Sequence, residues 1–258
     1  MLDSAERTGL AALSPSLELA ILRAEYEREV IARRDLERRV QGAEQIEQAL
    51  RLHLAQVDRL QRQLSTLCGA VVATISALLD ARDGSTSAHS RAVAECAVQI
   101  ADQLGLAGGD LEAVRVAALL HDVGKIAVPD ALLQKAGPLT DEEWLEMREH
   151  PAIAQRLLGR LPLPGEAVGA IRHHHERFDG RGYPDGLSAE QIPLTARIIT
   201  VADAYHAMTS DRPYRDRMSL AQARAEIARC AGSHFCPRVV DAFLAVSGRS
   251  EFEASAAA

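Results

Sequence analysis

Lysine is almost missing from this chain: of 29 basic residues only Lys125 and Lys135 are lysine, and the rest are arginine. Acidic residues number 36, which leaves a formal charge of −7. That balance excludes a general binder of long nucleic acids, which needs a basic stripe to displace counterions. It leaves room for a small anion held by local cations. Aromatics are scarce too, nine in 258 residues. Cys68, Cys96, Cys230 and Cys236 form no C-x-x-C pair. A chain of this length folds without disulfides, so four reduced thiols and a cytoplasmic location are expected. No apolar run approaches the ~18–20 residues of a membrane span, so no membrane association is expected. Residues 1–13 lack a basic start followed by an apolar core, so no signal peptide is expected. The length allows one core plus an accessory segment, and 47% hydrophobic against 25% charged residues excludes a disordered chain.

Proline is absent from residues 16–67, and Gly42 is the one glycine there. Ala43, Ile46, Leu50, His53, Val57, Leu60, Leu64, Leu67 and Val71 follow spacings that alternate 3 and 4. This is the seam of a coiled coil, with His53 its one polar member. Upstream the seam shifts phase through Leu19, Tyr26, Val30 and Val40, and a stutter near Gly42 reconciles the two. The segment is expected to be a long helix that pairs with its twin in a parallel homodimer. The expected organisation is an irregular N-terminus (1–15), a coiled-coil signalling helix (16–68), a compact domain (69–248) and a frayed tail (249–258).

Alternating strand patterns are absent from the compact region, which predicts an all-α domain. Asp110 is expected to cap a helix over Leu111–Leu120. Thr140 with Glu143, Ser188 with Gln191, and Ser219 with Gln222 have capping-box spacing. Gly180, Gly182, Pro184 and Gly186 mark Phe178–Leu187 as a loop.

Histidine carries the strongest chemical signal. Seven of nine lie between positions 89 and 206: His89, His121, His150, His173, His174, His175 and His206. One histidine alone is more often a core or surface residue. The set, joined by Asp122, Asp203 and Lys125, is different. On a helix His121, Asp122 and Lys125 share a face. A carboxylate beside an imidazole can bridge two cations, and two divalent cations about 3.5–4 Å apart clamp the attacking and leaving oxygens of a phosphoryl displacement. The lysine would face the same phosphate as a point charge.

The order His89, His121-Asp122, Asp203 resembles the HD phosphohydrolase superfamily. The runs His121-Asp-Val-Gly-Lys-Ile-Ala-Val-Pro-Asp130, His150-Pro151, His174-His-Glu-Arg-Phe-Asp-Gly-Arg-Gly-Tyr-Pro184, Ile192-Pro193, Val201-Ala-Asp203 and Thr209-Ser-Asp-Arg-Pro-Tyr-Arg215 resemble its HD-GYP family. The resemblance covers roughly residues 70–246 and leaves the coiled coil outside. It implies an HD-GYP-type helical bundle and a cytosolic bacterial phosphodiesterase that opens cyclic di-GMP to linear pGpG and, by a second cleavage, GMP. Carried over by residue, His89, His121, Asp122, His150, His174, His175 and Asp203 are the metal ligands. Asp122 bridges; His89, His121 and Asp203 take one metal, and His150, His174 and His175 the other. Asp122 and Lys125 are the implied catalytic pair. Lys125, Gly182, Tyr183, Pro184, Arg212 and Arg215 are the implied substrate contacts. Tyr183 is expected to stack on a base, Tyr205 and Tyr214 to pack in the core, and His173 to be an exposed neighbour.

Ser85 stands where some members carry a glutamate that supports a third metal, so two metals are expected. The imidazole and carboxylate set suits iron or manganese, and no thiolate argues for zinc. His206 stands where an aspartate is usual, either beside the ligands or as a weak extra one; if it is a bystander, His206→Asp changes little. Two other readings remain. One is a non-catalytic module that binds a cyclic dinucleotide or docks on a GGDEF partner. The other is a phosphodiesterase for another cyclic dinucleotide. The intact ligand set favours the enzyme. A GGDEF or sensor protein is the expected signalling partner.

Overall fold

A computed structural model describes residues 15–82, 89–135, 137–210 and 217–248. Among these run α1 (Pro15–Arg82), α2 (His89–Gln103), α3 (Gly109–Leu120), α4 (Asp130–Leu133), α5 (Asp141–Met147), α6 (His150–Leu158), α7 (Ala167–His173), α8 (Leu194–Thr209), α9 (Leu220–Arg229) and α10 (Pro237–Val246). Two 3-10 turns, Val123–Ala127 and Ala189–Gln191, interrupt them. No strand occurs among the described residues, and one isolated bridge joins Ala231 to Phe235. The fold is all-α. The expected elements at 1–14 and 249–258 lie outside the described residues.

The chain divides into Met1–Thr66 and Leu67–Ala258. In the first unit α1 presents its apolar seam to solvent: Ile46 is 72% exposed and Leu50 57%. Its polar faces carry i,i+4 pairs, Arg23–Glu27, Arg33–Glu37, Glu47–Arg51 and Asp58–Arg62. Each such pair adds about 0.2–0.5 kcal/mol to a helix. Together with the near-absence of glycine and proline, they explain why this stretch is helical without a core beneath it.

α1 runs past the expected limit at residue 68 to Arg82. It also contains, within Ser16–Leu79, an 18-residue window of mean hydropathy 1.4, long and apolar enough by length and composition to cross a membrane. The expectation that no such stretch exists is therefore corrected. The apolar residues are broken up by serine, threonine and glycine, so no uninterrupted run betrays them. In the second unit one face of the end of α1 packs on its own domain, while Val71, Ile75 and Leu78 stay exposed. Ser76 is buried and donates its hydroxyl to the Leu119 carbonyl at 2.6 Å, while Val72 and Leu79 pack on the core.

That core is built around α8. Ile198, Ile199, Val201, Ala202 and Tyr205 are buried on several faces of this helix, against α2, α3, α7, α9 and α10. Tyr205 meets Phe243 edge-on, with centroids 5.0 Å apart, which is core packing as its position predicts. The Thr140–Glu143 and Ser219–Gln222 capping boxes form as expected. The Asp110 cap does not: α3 starts at Gly109 after Gly108, and Asp110 lies inside its first turn, where a carboxylate still complements the helix dipole. Phe178–Leu187 is non-helical.

Candidate metal centre

Each histidine of interest sits at an end of a helix. His89 opens α2 and His150 opens α6; His121 follows α3, and His174 and His175 follow α7. Asp203 comes from the middle of α8. Packing of α2, α3, α6, α7 and α8 brings these ends together.

Two groups result. His89, His121 and Asp203 form one, and Asp122, His150, His174 and His175 the other; within each, ligand atoms lie within 4.8 Å of one another. Asp122 faces both groups. Its Oδ2 is 3.3 Å from His121 Nε2 and its Oδ1 is 3.3 Å from His150 Nε2. The partition expected from sequence is thus the grouping the geometry makes.

The hydrogen bonds set the tautomers. His121 Nδ1 donates to the Ala118 carbonyl at 2.7 Å, His150 Nδ1 to Met147 at 2.8 Å, and His174 Nδ1 to Ile171 at 2.7 Å. A carbonyl only accepts, so in the neutral ring each Nε2 offers its lone pair to the cluster. His121 Nε2 is buried without a hydrogen-bond partner. A buried, unpartnered ring nitrogen facing two carboxylates is a place for a cation, so the donor set fits divalent metals.

Electrostatics agree. Burial opposes charge on His121, but Asp122 and Asp203 outweigh it and hold its pKa at about 9. Burial also opposes charge on Asp122, yet Lys125 and His121 keep it well below the usual carboxylate range. Asp203 is lowered likewise, burial being overcome by His121 and His89. Burial, reinforced by neighbouring imidazoles, pushes His174 well below its ordinary value and His175 down to about 3. The carboxylates demand positive charge, His174 and His175 stay neutral as ligation needs, and His121 would give up its proton to a bound cation.

Lys125 reaches this centre from the 3-10 turn after His121. Its Nζ donates to Asp122 Oδ2 at 2.8 Å. The backbone here is not the α-helix that the i, i+4 argument assumes, because α3 ends at Leu120. Gly124 explains the tight turn: a Cβ there would sit 1.8 Å from the His150 carbonyl oxygen. Gly182 answers to the same cause, with its Cβ position 2.4 Å from Glu176 Cα. Close approach, not an unusual φ, requires glycine at both.

Tyr183 stacks on His175, centroids 4.8 Å apart at 25°, and the Arg148 guanidinium lies 5.4 Å from its centroid. The ring expected to meet a base is engaged with a histidine of the second group. Gly182 and Pro184 are half-buried beside it. His173 is not an exposed neighbour. Its side chain is 14% exposed, and its Nδ1 is 3.7 Å from both Glu176 Oε1 and Asp185 Oδ2. Ser85, Arg212, Tyr214 and Arg215 lie outside the described residues.

Sequence reasoning missed Arg82. It donates to the carbonyls of Lys125 (3.1 Å), Ile126 (2.8 Å) and Val128 (2.8 Å), and to Asp130 Oδ1 (2.9 Å), tying the lysine's turn to the end of α1. No spacing signals a partner more than 40 residues away.

An HD domain profile matches residues 73–239. The chain is 41% identical over 216 residues to the cyclic di-GMP phosphodiesterase response regulator RpfG of Xanthomonas campestris pv. campestris, covering 83% of this chain and 54% of that protein. It is 44% identical over 171 residues to the cyclic di-GMP phosphodiesterase PA4108 of Pseudomonas aeruginosa, covering 66% and 41%. The chain thus spans about half the length of these curated relatives. The fold is similar to that of a cyclic GMP-AMP specific phosphodiesterase of V. cholerae, with a TM-score of 0.57 at 18% identity over 72% of this chain and 51% of that one.

Proposed function

The chain belongs to the HD domain family, in its HD-GYP branch, and from that premise we propose that it hydrolyses a phosphodiester bond of cyclic di-GMP to give linear pGpG, and GMP by a second cut. The observation that carries the reading is Asp122, whose two oxygens face two separate imidazole-rich groups.

His89, His121 and Asp203 would hold one divalent cation and His150, His174 and His175 the other, with Asp122 between them. Iron or manganese suits a set of nitrogen and oxygen donors without thiolate. When bound, such a pair lowers the pKa of water and neutralises charge on phosphoryl oxygens. The chain's own part is positional. The i−3 carbonyls lock His121, His150 and His174, and Tyr183 braces His175. Lys125 holds an ammonium at the edge of both groups, where it can donate to a phosphate oxygen as charge builds there. By the family resemblance Arg212 and Arg215 would grip a phosphate or stack on a guanine, and Gly182, Tyr183 and Pro184 would also contact the dinucleotide.

The exposed seam of α1 supports a parallel homodimer through which a sensor or GGDEF partner acts. Four free thiols support a cytoplasmic setting.

The test is Asp122→Ala, purified beside the wild type and assayed for metal content and for pGpG released from cyclic di-GMP. Loss of both metals and of turnover is expected. Full activity in the variant contradicts the reading, and faster turnover of cyclic GMP-AMP than of cyclic di-GMP by the wild type would reassign the substrate.

A further inference from the structure

His121, His150 and His174 each owe their tautomer to the carbonyl three residues earlier. His89 opens α2 and its ring is held by a side chain. Its Nδ1 instead lies 2.8 Å from Nδ1 of His206, on α8, with the two ring centroids 4.8 Å apart. Both side chains are buried. Two ring nitrogens at that separation share one proton, so one donates and the other accepts.

Of the two arrangements only one suits a metal ligand. His89 Nε2 points to Asp203 Oδ1 at 3.4 Å, within the His89–His121–Asp203 group. For that Nε2 to offer a lone pair, the proton must reside on His89 Nδ1, and His206 Nδ1 must accept it. His206 then carries its own proton on Nε2, and Ser210 Oγ, 3.3 Å from each ring nitrogen of His206, is placed to receive it.

We propose that His206 is the positioning residue for His89: it accepts the Nδ1–H hydrogen bond, selects the tautomer that bares Nε2, and thereby sets cation affinity in the His89–His121–Asp203 group. It takes the place that a backbone carbonyl takes for the other three histidines. The proposal rests on the two-cation reading of the centre, but it concerns one group of ligands and not the other.

Mn2+ titration of the 258-residue chain, followed by electron paramagnetic resonance of the free ion, tests it without substrate. The wild type should take up two ions per chain. His206→Phe, which keeps a ring but offers no acceptor, should leave one ion bound as before and weaken the other by about 10–100-fold, the usual loss when a metal-ligating histidine loses its outer partner. His206→Ala is the second truncation, for use if the larger ring does not fold, and should weaken the same ion. His206→Asp, whose carboxylate accepts, should restore wild-type uptake. Equal binding of both ions in a folded truncation variant overturns the proposal. So does an aspartate variant as weak as the phenylalanine one, since packing alone would then explain the loss. A wild-type chain that binds no Mn2+ overturns this proposal together with the two-cation centre.

Discussion

Lys125 is one of two lysines in the chain, and it donates to the carboxylate that faces both imidazole groups. An ammonium there adds to the field on a phosphate without belonging to either group of metal-binding atoms. Lys125→Ala should therefore leave metal content unchanged and lower kcat by about 10²-fold, the scale seen when one preorganised donor is removed. Loss of metal together with the lysine would show instead that Lys125 builds the centre. The residues that the fold brings into the two groups were legible in the sequence, because imidazoles and carboxylates recurring in short fixed runs have few other causes. Arg82 and His206 were not legible in the same way. An arginine at the end of a helix reads as a dipole complement, and the structure puts its guanidinium on four oxygens of the turn from Lys125 to Asp130. His206 was visible as an odd residue, but its partner is 117 positions away.

At the scale of elements, the centre is a meeting of helix ends, and the joints between them are close-packed. The 3-10 turn Val123–Ala127 lies against α6 with Gly124 on the backbone of His150. A methyl group there has to move backbone, not a flexible side chain. Gly124→Ala should cost about 1–3 kcal/mol as an overpacked site. It should also weaken metal uptake, because Asp122 opens this turn and the displaced carbonyl belongs to His150. Thermal unfolding and metal analysis of one preparation check both; an unchanged melting temperature with full metal would mean that the contact relaxes freely. Local rules read some elements well and others poorly. The Thr140 and Ser219 boxes are short-range hydrogen-bond patterns and appear as spaced. The start of α3 shifted from Asp110 to Gly108 because a positive-φ glycine can begin the helix two residues earlier.

At the scale of the molecule, the two units obey different physics. Leu67–Ala258 buries a core, while in Met1–Thr66 a helix holds its apolar seam in water. Seam residues at 49–72% exposure, repeated over several turns, favour a second copy. Light scattering should give the full chain about twice its 27.9 kDa mass and give one chain's mass after deletion of residues 1–60. A dimer that survives the deletion rejects the seam. The all-α domain was legible from missing strand patterns and from helical spacing. The continuation of α1 to Arg82 was not, because Ser76 and Val72 are held by contacts to a distant helix and core.

The central claim is that two groups of ligands, joined by Asp122, form a two-cation centre that cleaves cyclic di-GMP. Its most direct test is metal content together with product analysis on anaerobically purified chain incubated with cyclic di-GMP. Two iron or manganese ions per chain and appearance of pGpG are expected. A fully metal-loaded chain that binds cyclic di-GMP and leaves it intact would contradict the account.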